Sequence, residues 1–209
     1  MKFQSMVLLS VLCGLQVGIG AFAAEAPVAG SAEKGQAKAA PCVACHGVNG
    51  NSVNPVCPNL SGQHETYIKR QLAAFKGGTR TDPLMTPMAA PLSEEDMADL
   101  GAFFSSQKGA GTLEAEPSKV AQGQRLYRGG DLKTGVAACA ACHGPDGGGN
   151  PGAGYAQIRG QHAPYIAAQL KAYRAGTRQT DPNQMMRNVA AAMTDEQIDA
   201  VAAYIQGLR

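Results

Sequence analysis

Two six-residue runs hold the residues best suited to chemistry: Cys42-Val43-Ala44-Cys45-His46-Gly47 and Cys139-Ala140-Ala141-Cys142-His143-Gly144. Two thiols spaced C-x-x-C and followed at once by an imidazole suit three chemistries. They can form a redox dithiol, contribute to a zinc site, or attach a haem, with two thioethers holding the porphyrin and the histidine on the iron. A redox dithiol normally opens a helix after a strand, and no strand pattern precedes either run. Zinc would take Cys42, Cys45, His46 and Cys57, but the second copy has Tyr155 or Ala156 where a fourth ligand is needed. Haem attachment uses every residue of both runs. The expectation is therefore two covalently bound haem c groups, with thioethers at Cys42, Cys45, Cys139 and Cys142 and proximal imidazoles at His46 and His143.

A sixth ligand has to come from a residue that recurs in both copies. Met85 lies eight residues before Ser93 and Met186 eight before Thr194, at equivalent places ahead of the last helix of each half. His64 and His162 also recur and form the rival pair, although each sits just before a helix, where it can satisfy turn carbonyls. Met85 and Met186 are the favoured axial ligands. A thioether ligand favours the reduced iron and leaves no open position for a substrate. Met88, Met97, Met185 and Met193 read as packing filler.

The elements that position these groups come as a duplicated module. The segment from Gly62 to Arg80 matches that from Gly160 to Arg178 at 11 of 19 positions, and the order of motifs is the same in both halves. Two copies of roughly 90 residues make a tandem pair and not a solenoid. The division runs 1–24 leader, 25–108 first domain, 109–117 linker, 118–209 second domain. Both domains read as all-α. Ser31 and Ser118 are candidate N-caps. The runs from Ser93 and from Thr194 look like capping boxes. Tyr67, Ile68, Leu72 and Phe75, with Tyr165, Ile166, Leu170 and Tyr173, form apolar stripes at helical spacing. Few large apolar residues remain per module, so a planar apolar cofactor is expected to complete each core. The loop at Gly144–Asn150 lacks the Lys-Ser/Thr of a phosphate loop and reads as a haem-edge loop.

Lys2, an apolar run and Ala21-Phe22-Ala23 match an export signal cleaved near residue 24. With Cys13 in that leader, five cysteines remain, an odd number that argues against a disulfide framework. Cys57 has no counterpart and reads as an inert thiol or, more sharply, a redox or dimerising one. A net charge of +2 over 209 residues, with no basic stripe, gives no support to nucleic-acid binding. Arg80 and Arg178 recur in T-R turns, where each is either a propionate contact or a solvated turn residue.

The paired attachment runs, "SGQHETYIKRQL" with "RGQHAPYIAAQL", "AFFSSQKG", "RLYRGG" and the terminal "AAYIQGLR" resemble the dihaem cytochrome c4 family of bacteria across the mature chain. The resemblance implies two class-I-like cytochrome c folds related by a pseudo-twofold, His/Met ligation, and haem propionates facing across the domain interface. It also implies a periplasmic, non-enzymatic electron carrier with loose membrane association, passing electrons from a quinol-oxidising complex or small carrier to a terminal haem–copper oxidase. Two other readings stay open: the dihaem subunit of a flavoprotein sulfide dehydrogenase, and a small redox enzyme such as a thiosulfate dehydrogenase.

Overall fold

The computed structural model describes residues 29–109, 111 and 115–208, so the expected leader and residues 110 and 112–114 of the expected linker lie outside the described residues. The first module contains α1 (Ala32–Lys38), α2 (Val43–His46), α3 (Glu65–Lys76), α4 (Met85–Ala89) and α5 (Glu94–Ser106). The second repeats the order as α6 (Pro117–Gly129), α7 (Ala140–His143), α8 (Ala163–Arg174), α9 (Met185–Ala191) and α10 (Asp195–Gln206). Among the described residues there are two isolated β-bridges and no named strand. No described helix is long and apolar enough to cross a membrane.

Helix ends follow the sequence where a hydroxyl stands free to turn back. Ser31 Oγ accepts from the Lys34 N–H, and Ser93 and Thr194 close reciprocal capping boxes with Asp96 and Gln197. Ser118 is not an N-cap. Helix α6 begins one residue earlier, at Pro117, whose fixed φ suits a first helical position, and Ser118 Oγ donates to Glu116 instead.

In each module the first helix crosses the last at a glycine. A Cβ at Gly35 would lie 2.0 Å from the Asp99 carbonyl oxygen, and one at Gly123 2.1 Å from that of Ala200. The two backbones therefore touch, and only glycine allows it. Asp99, buried on α5, accepts from the Ser31 N–H at 2.8 Å and from Lys38 Nζ at 2.7 Å, tying down both ends of α1. The cores differ in size. Ala39, Ile68, Leu100, Phe103 and Phe104 form the first. The second is larger and holds Tyr127 and Tyr204, whose ring centroids are 5.3 Å apart.

The modules exchange matching contacts across their junction, as a pseudo-twofold requires. Arg80 Nη1 donates to Gln71 of its own module at 2.7 Å, while Nη2 donates to Tyr165 Oη at 3.0 Å and Gln169 Oε1 at 2.9 Å. Arg178 repeats this, with Nη1 to Gln169 at 2.7 Å and Nη2 to Tyr67 Oη at 2.9 Å and Gln71 Oε1 at 3.0 Å. Each guanidinium also lies over its own module's aromatic ring, Phe75 or Tyr173. Both arginines are buried, so they are not solvated turn residues. Tyr67 and Tyr165 likewise leave the helical core stripe and face the other module. Burial pushes the Tyr67 phenol up, but Arg178, Arg80 and Arg70 outweigh it and hold it below the ordinary tyrosine value. A second reciprocal set joins the loops: Gln63 and Gln157 exchange backbone-to-side-chain bonds, as do Asn59 and Gln161.

Candidate haem-attachment sites

Each attachment run forms a single helical turn, α2 or α7, which ends at a glycine with φ of 77° (Gly47) or 80° (Gly144). That left-handed step turns the chain away directly after the histidine. The loop then returns to bring a carbonyl onto the ring. His46 Nδ1 lies 2.9 Å from the Pro58 oxygen, and His143 Nδ1 2.8 Å from that of Ala156. With Nδ1 protonated and donating, Nε2 keeps its lone pair, which is the tautomer a metal-bound imidazole needs. Burial pulls both rings below the ordinary histidine pKa although the carbonyl bonds favour the charged form, so both are neutral near pH 7. In module two Tyr127 Oη donates to the Gly144 oxygen at 2.6 Å and fixes the turn from the core side.

The thiols are placed unequally. Cys42 and Cys139 are half-buried against the two cores, whereas Cys45 and Cys142 are exposed. Burial pushes the Cys139 thiol up to about 11. All five described cysteines are free, and no three His, Cys, Asp or Glu side chains converge as a metal site among the described residues. This arrangement fits a group that bridges core and surface: one attachment point inside, one outside, and a ring nitrogen held ready between them. It does not fit the Cys3His zinc set. Cys57 is nonetheless close to the first site. Burial first, and then the neighbouring Cys45 thiol, push its pKa up. Ser52 Oγ donates to the Cys45 oxygen at 2.7 Å and anchors that loop to the attachment turn.

The methionine segments stand at matching places in the order of the two modules. Met85 is half-buried and begins α4, with its N–H donating to Asp82 Oδ1. Met186 is the second residue of α9 and packs against the module-two core. Before it, Asn183 and Gln184 adopt left-handed φ of 54° and 58°, and Asp181 accepts from the Arg187 N–H and Nε. Met97 and Met193 are buried filler as expected, but Met88 is exposed and Met185 half-buried. The rival histidines sit at the module junction. His162 Nε2 bonds the Ser52 carbonyl at 2.9 Å, across the junction, and His64 Nε2 is buried there without a partner.

The family model for cytochrome c matches residues 32–108 and 120–209. Cytochrome c4 of Stutzerimonas stutzeri is 46% identical over 97% of this chain and 98% of its own length. The thiosulfate dehydrogenase electron acceptor of Thiomonas intermedia is 40% identical over 80% of this chain and 78% of its own. The crystal structure of reduced recombinant cytochrome c4 from Pseudomonas stutzeri superposes with a TM-score of 0.84 at 46% identity, covering 87% of this chain and 100% of that one. On this match of sequence, fold and twin attachment motifs, the chain belongs to the cytochrome c4 family: it is an all-α electron-transfer protein of two cytochrome c domains with two covalently bound haem c groups.

Proposed function

We infer that the chain carries electrons through the periplasm, from a quinol-oxidising complex or a small carrier to a terminal haem–copper oxidase, in loose association with the membrane. Residues 25–108 and 118–209 are its two domains and 109–117 their linker. His46 with Met85, and His143 with Met186, are the axial pairs. The observation that carries the ligand assignment is the matched pair of Nδ1–carbonyl bonds, which leave Nε2 free in both modules. Met85 opens α4 and Met186 stands in the first turn of the matching short helix α9, whereas His162 is already committed to the Ser52 carbonyl.

Bound haem c supplies a one-electron ferric/ferrous couple. The chain's own residues set the conditions for it. The two histidines are held in one tautomer and orientation, so little has to reorganise when the charge changes. Arg80 and Arg178 keep two positive charges buried at the junction with neutral Tyr and Gln acceptors, and nearby positive charge favours the addition of an electron. Cys45 and Cys142 hold one side of each site at the surface, where a partner can approach. The relative named as a thiosulfate dehydrogenase electron acceptor supports a second reading of the donor, a thiosulfate-oxidising enzyme.

Met85→Ala and Met186→Ala test the ligand assignment. Each is expected to remove the far-red ferric His/Met band of one haem and lower that haem's potential. A ferric spectrum unchanged in both variants refutes it.

A further inference from the structure

The junction between the modules is built mostly in matched pairs, and one charged contact has no match. Arg80 answers Arg178, Gln71 answers Gln169, Tyr67 answers Tyr165 and Gln63 answers Gln157. Arg70 answers nothing, because the equivalent position holds Ala168. Its guanidinium leaves its own module: Cζ stands 5.5 Å from the centroid of the Tyr67 ring, and Nη2 donates to the Gly154 oxygen of module two at 2.9 Å. A Cβ at Gly154 would lie 2.9 Å from Arg70 Nη1, so a glycine, with φ of 74°, is what lets the cation come this close to the backbone.

That backbone belongs to the loop that holds His143. The Gly149 N–H donates to the His143 oxygen at 2.8 Å, and the Ala156 oxygen meets His143 Nδ1, also at 2.8 Å. Between these two fastenings Asn150 and Tyr155 exchange backbone bonds of 3.0 and 2.9 Å, and the Gly154 N–H donates to the Pro151 oxygen at 3.2 Å, which closes the loop into a compact turn. Arg70 sits on the tip of that turn. Two residues of chain span at most about 7 Å, so the guanidinium lies within roughly 13 Å of the His143 ring.

The charge that Arg70 brings is not cancelled. Among the described residues no carboxylate stands within ion-pair distance of it, and its Nε is buried without a hydrogen-bond partner. From Gly147 to Gln157 the loop itself has no Asp, Glu, Lys or Arg, and the charges that flank it, Asp146 and Arg159, pair with each other at 2.7 Å. A fixed positive charge favours the less positive state of a redox group, and does so most where protein displaces water. In module one the loop that returns to His46 receives no such cation from Ala168, whose side chain ends at a methyl.

We propose that Arg70 is a positioning residue of module one that acts on the haem of module two: by lodging an unpaired guanidinium on the loop that orients His143, it raises that haem's reduction potential and draws the first electron towards module two. This rests on the electron-carrier reading above and adds what makes two duplicated sites unequal. One charge at that distance, at an effective dielectric of about 20–40, shifts the sharing of a single electron between the haems by roughly three- to tenfold.

The test is a redox titration of the full holoprotein, with each haem followed by its own proton NMR signals and assigned to its module by Overhauser contacts with that module's core side chains. Arg70→Gln should lower the potential of the haem on module two, leave that of module one unchanged, and so move the electron-sharing ratio roughly three- to tenfold towards module one. Arg70→Lys, which keeps the charge, should recover most of the wild-type ratio, and Ala168→Arg should raise the potential of the haem on module one. Equal ratios in wild type and Arg70→Gln overturn the proposal, as does an equal drop at both haems. An Arg70→Lys variant shifted as far as Arg70→Gln also overturns it, by assigning the effect to the fork that clamps the loop. Two haems that take up no electrons reversibly in the wild type refute the electron-carrier reading instead.

Discussion

Tyr67→Phe removes one atom from the module junction and leaves the ring in place. The lost hydroxyl accepts from Arg178 Nη2 at 2.9 Å, and the buried guanidinium keeps Gln71 Oε1 at 3.0 Å on the same nitrogen. A hydrogen bond to a charged group contributes about 1.5–3 kcal/mol. The surviving acceptor puts the cost at the low end, about 1.5 kcal/mol. Tyr165→Phe is the mirror change, since Arg80 Nη2 keeps Gln169 at 2.9 Å, and it should cost the same. Both arginines share the Gln71 and Gln169 acceptors, so the double variant should lose about 3.5–4 kcal/mol, roughly 0.5–1 kcal/mol more than the two single changes together. In urea, with a slope of about 2 kcal/mol/M, each single change moves the unfolding midpoint by about 0.7 M. The assay is urea unfolding of the holoprotein, followed by haem absorbance and by far-ultraviolet dichroism. A double variant that unfolds at the wild-type midpoint would refute the claim that these crossed bonds hold the modules together.

The helix crossings and the α1–α5 tie give two further expectations. Gly35→Ala or Gly123→Ala drives a Cβ to about 2 Å from a carbonyl oxygen, so overpacking of about 1–3 kcal/mol should exceed the helix-propensity gain of up to about 1 kcal/mol. The control is Gly129→Ala at the end of α6, which meets nothing within 4 Å and should leave the thermal midpoint unchanged or slightly raised. The Asp99 carboxyl is held below its ordinary pKa, first by Lys38 and then by the Ser31 N–H. A depressed folded pKa contributes stability above the unfolded value of about 4 and loses it as pH falls further. The thermal midpoint of the wild type should therefore drop below about pH 4, and Asp99→Asn should flatten that part of the profile.

What could be read in the sequence was what its local pattern determines. The attachment runs, the three caps at Ser31, Ser93 and Thr194, and the repeat itself depend on neighbours a few residues apart. The junction does not. A stripe at helical spacing shows which face is covered but not by what, so Tyr67 and Tyr165 read as core when they face the other module. Arg80 and Arg178 read as propionate contacts or turn residues because their acceptors across the junction lie 85 to 111 positions away. A signal was present, since Tyr, Gln and Arg all recur at matched positions in both copies, as polar groups of a twofold contact must. Gly35 and Gly123 carried a similar signal. A glycine kept inside a helix, at the cost of propensity, marks a backbone approach. Ser118 misled because Pro117 is the better first residue of a helix.

The account depends most on the covalent state of the cysteines. Counting haem and free thiols on the denatured mature protein tests it directly. Thioethers at Cys42, Cys45, Cys139 and Cys142 leave Cys57 alone, so the account predicts two haems retained per chain and one titratable thiol. Five thiols on a folded, colourless chain, or haem released on denaturation, would contradict it.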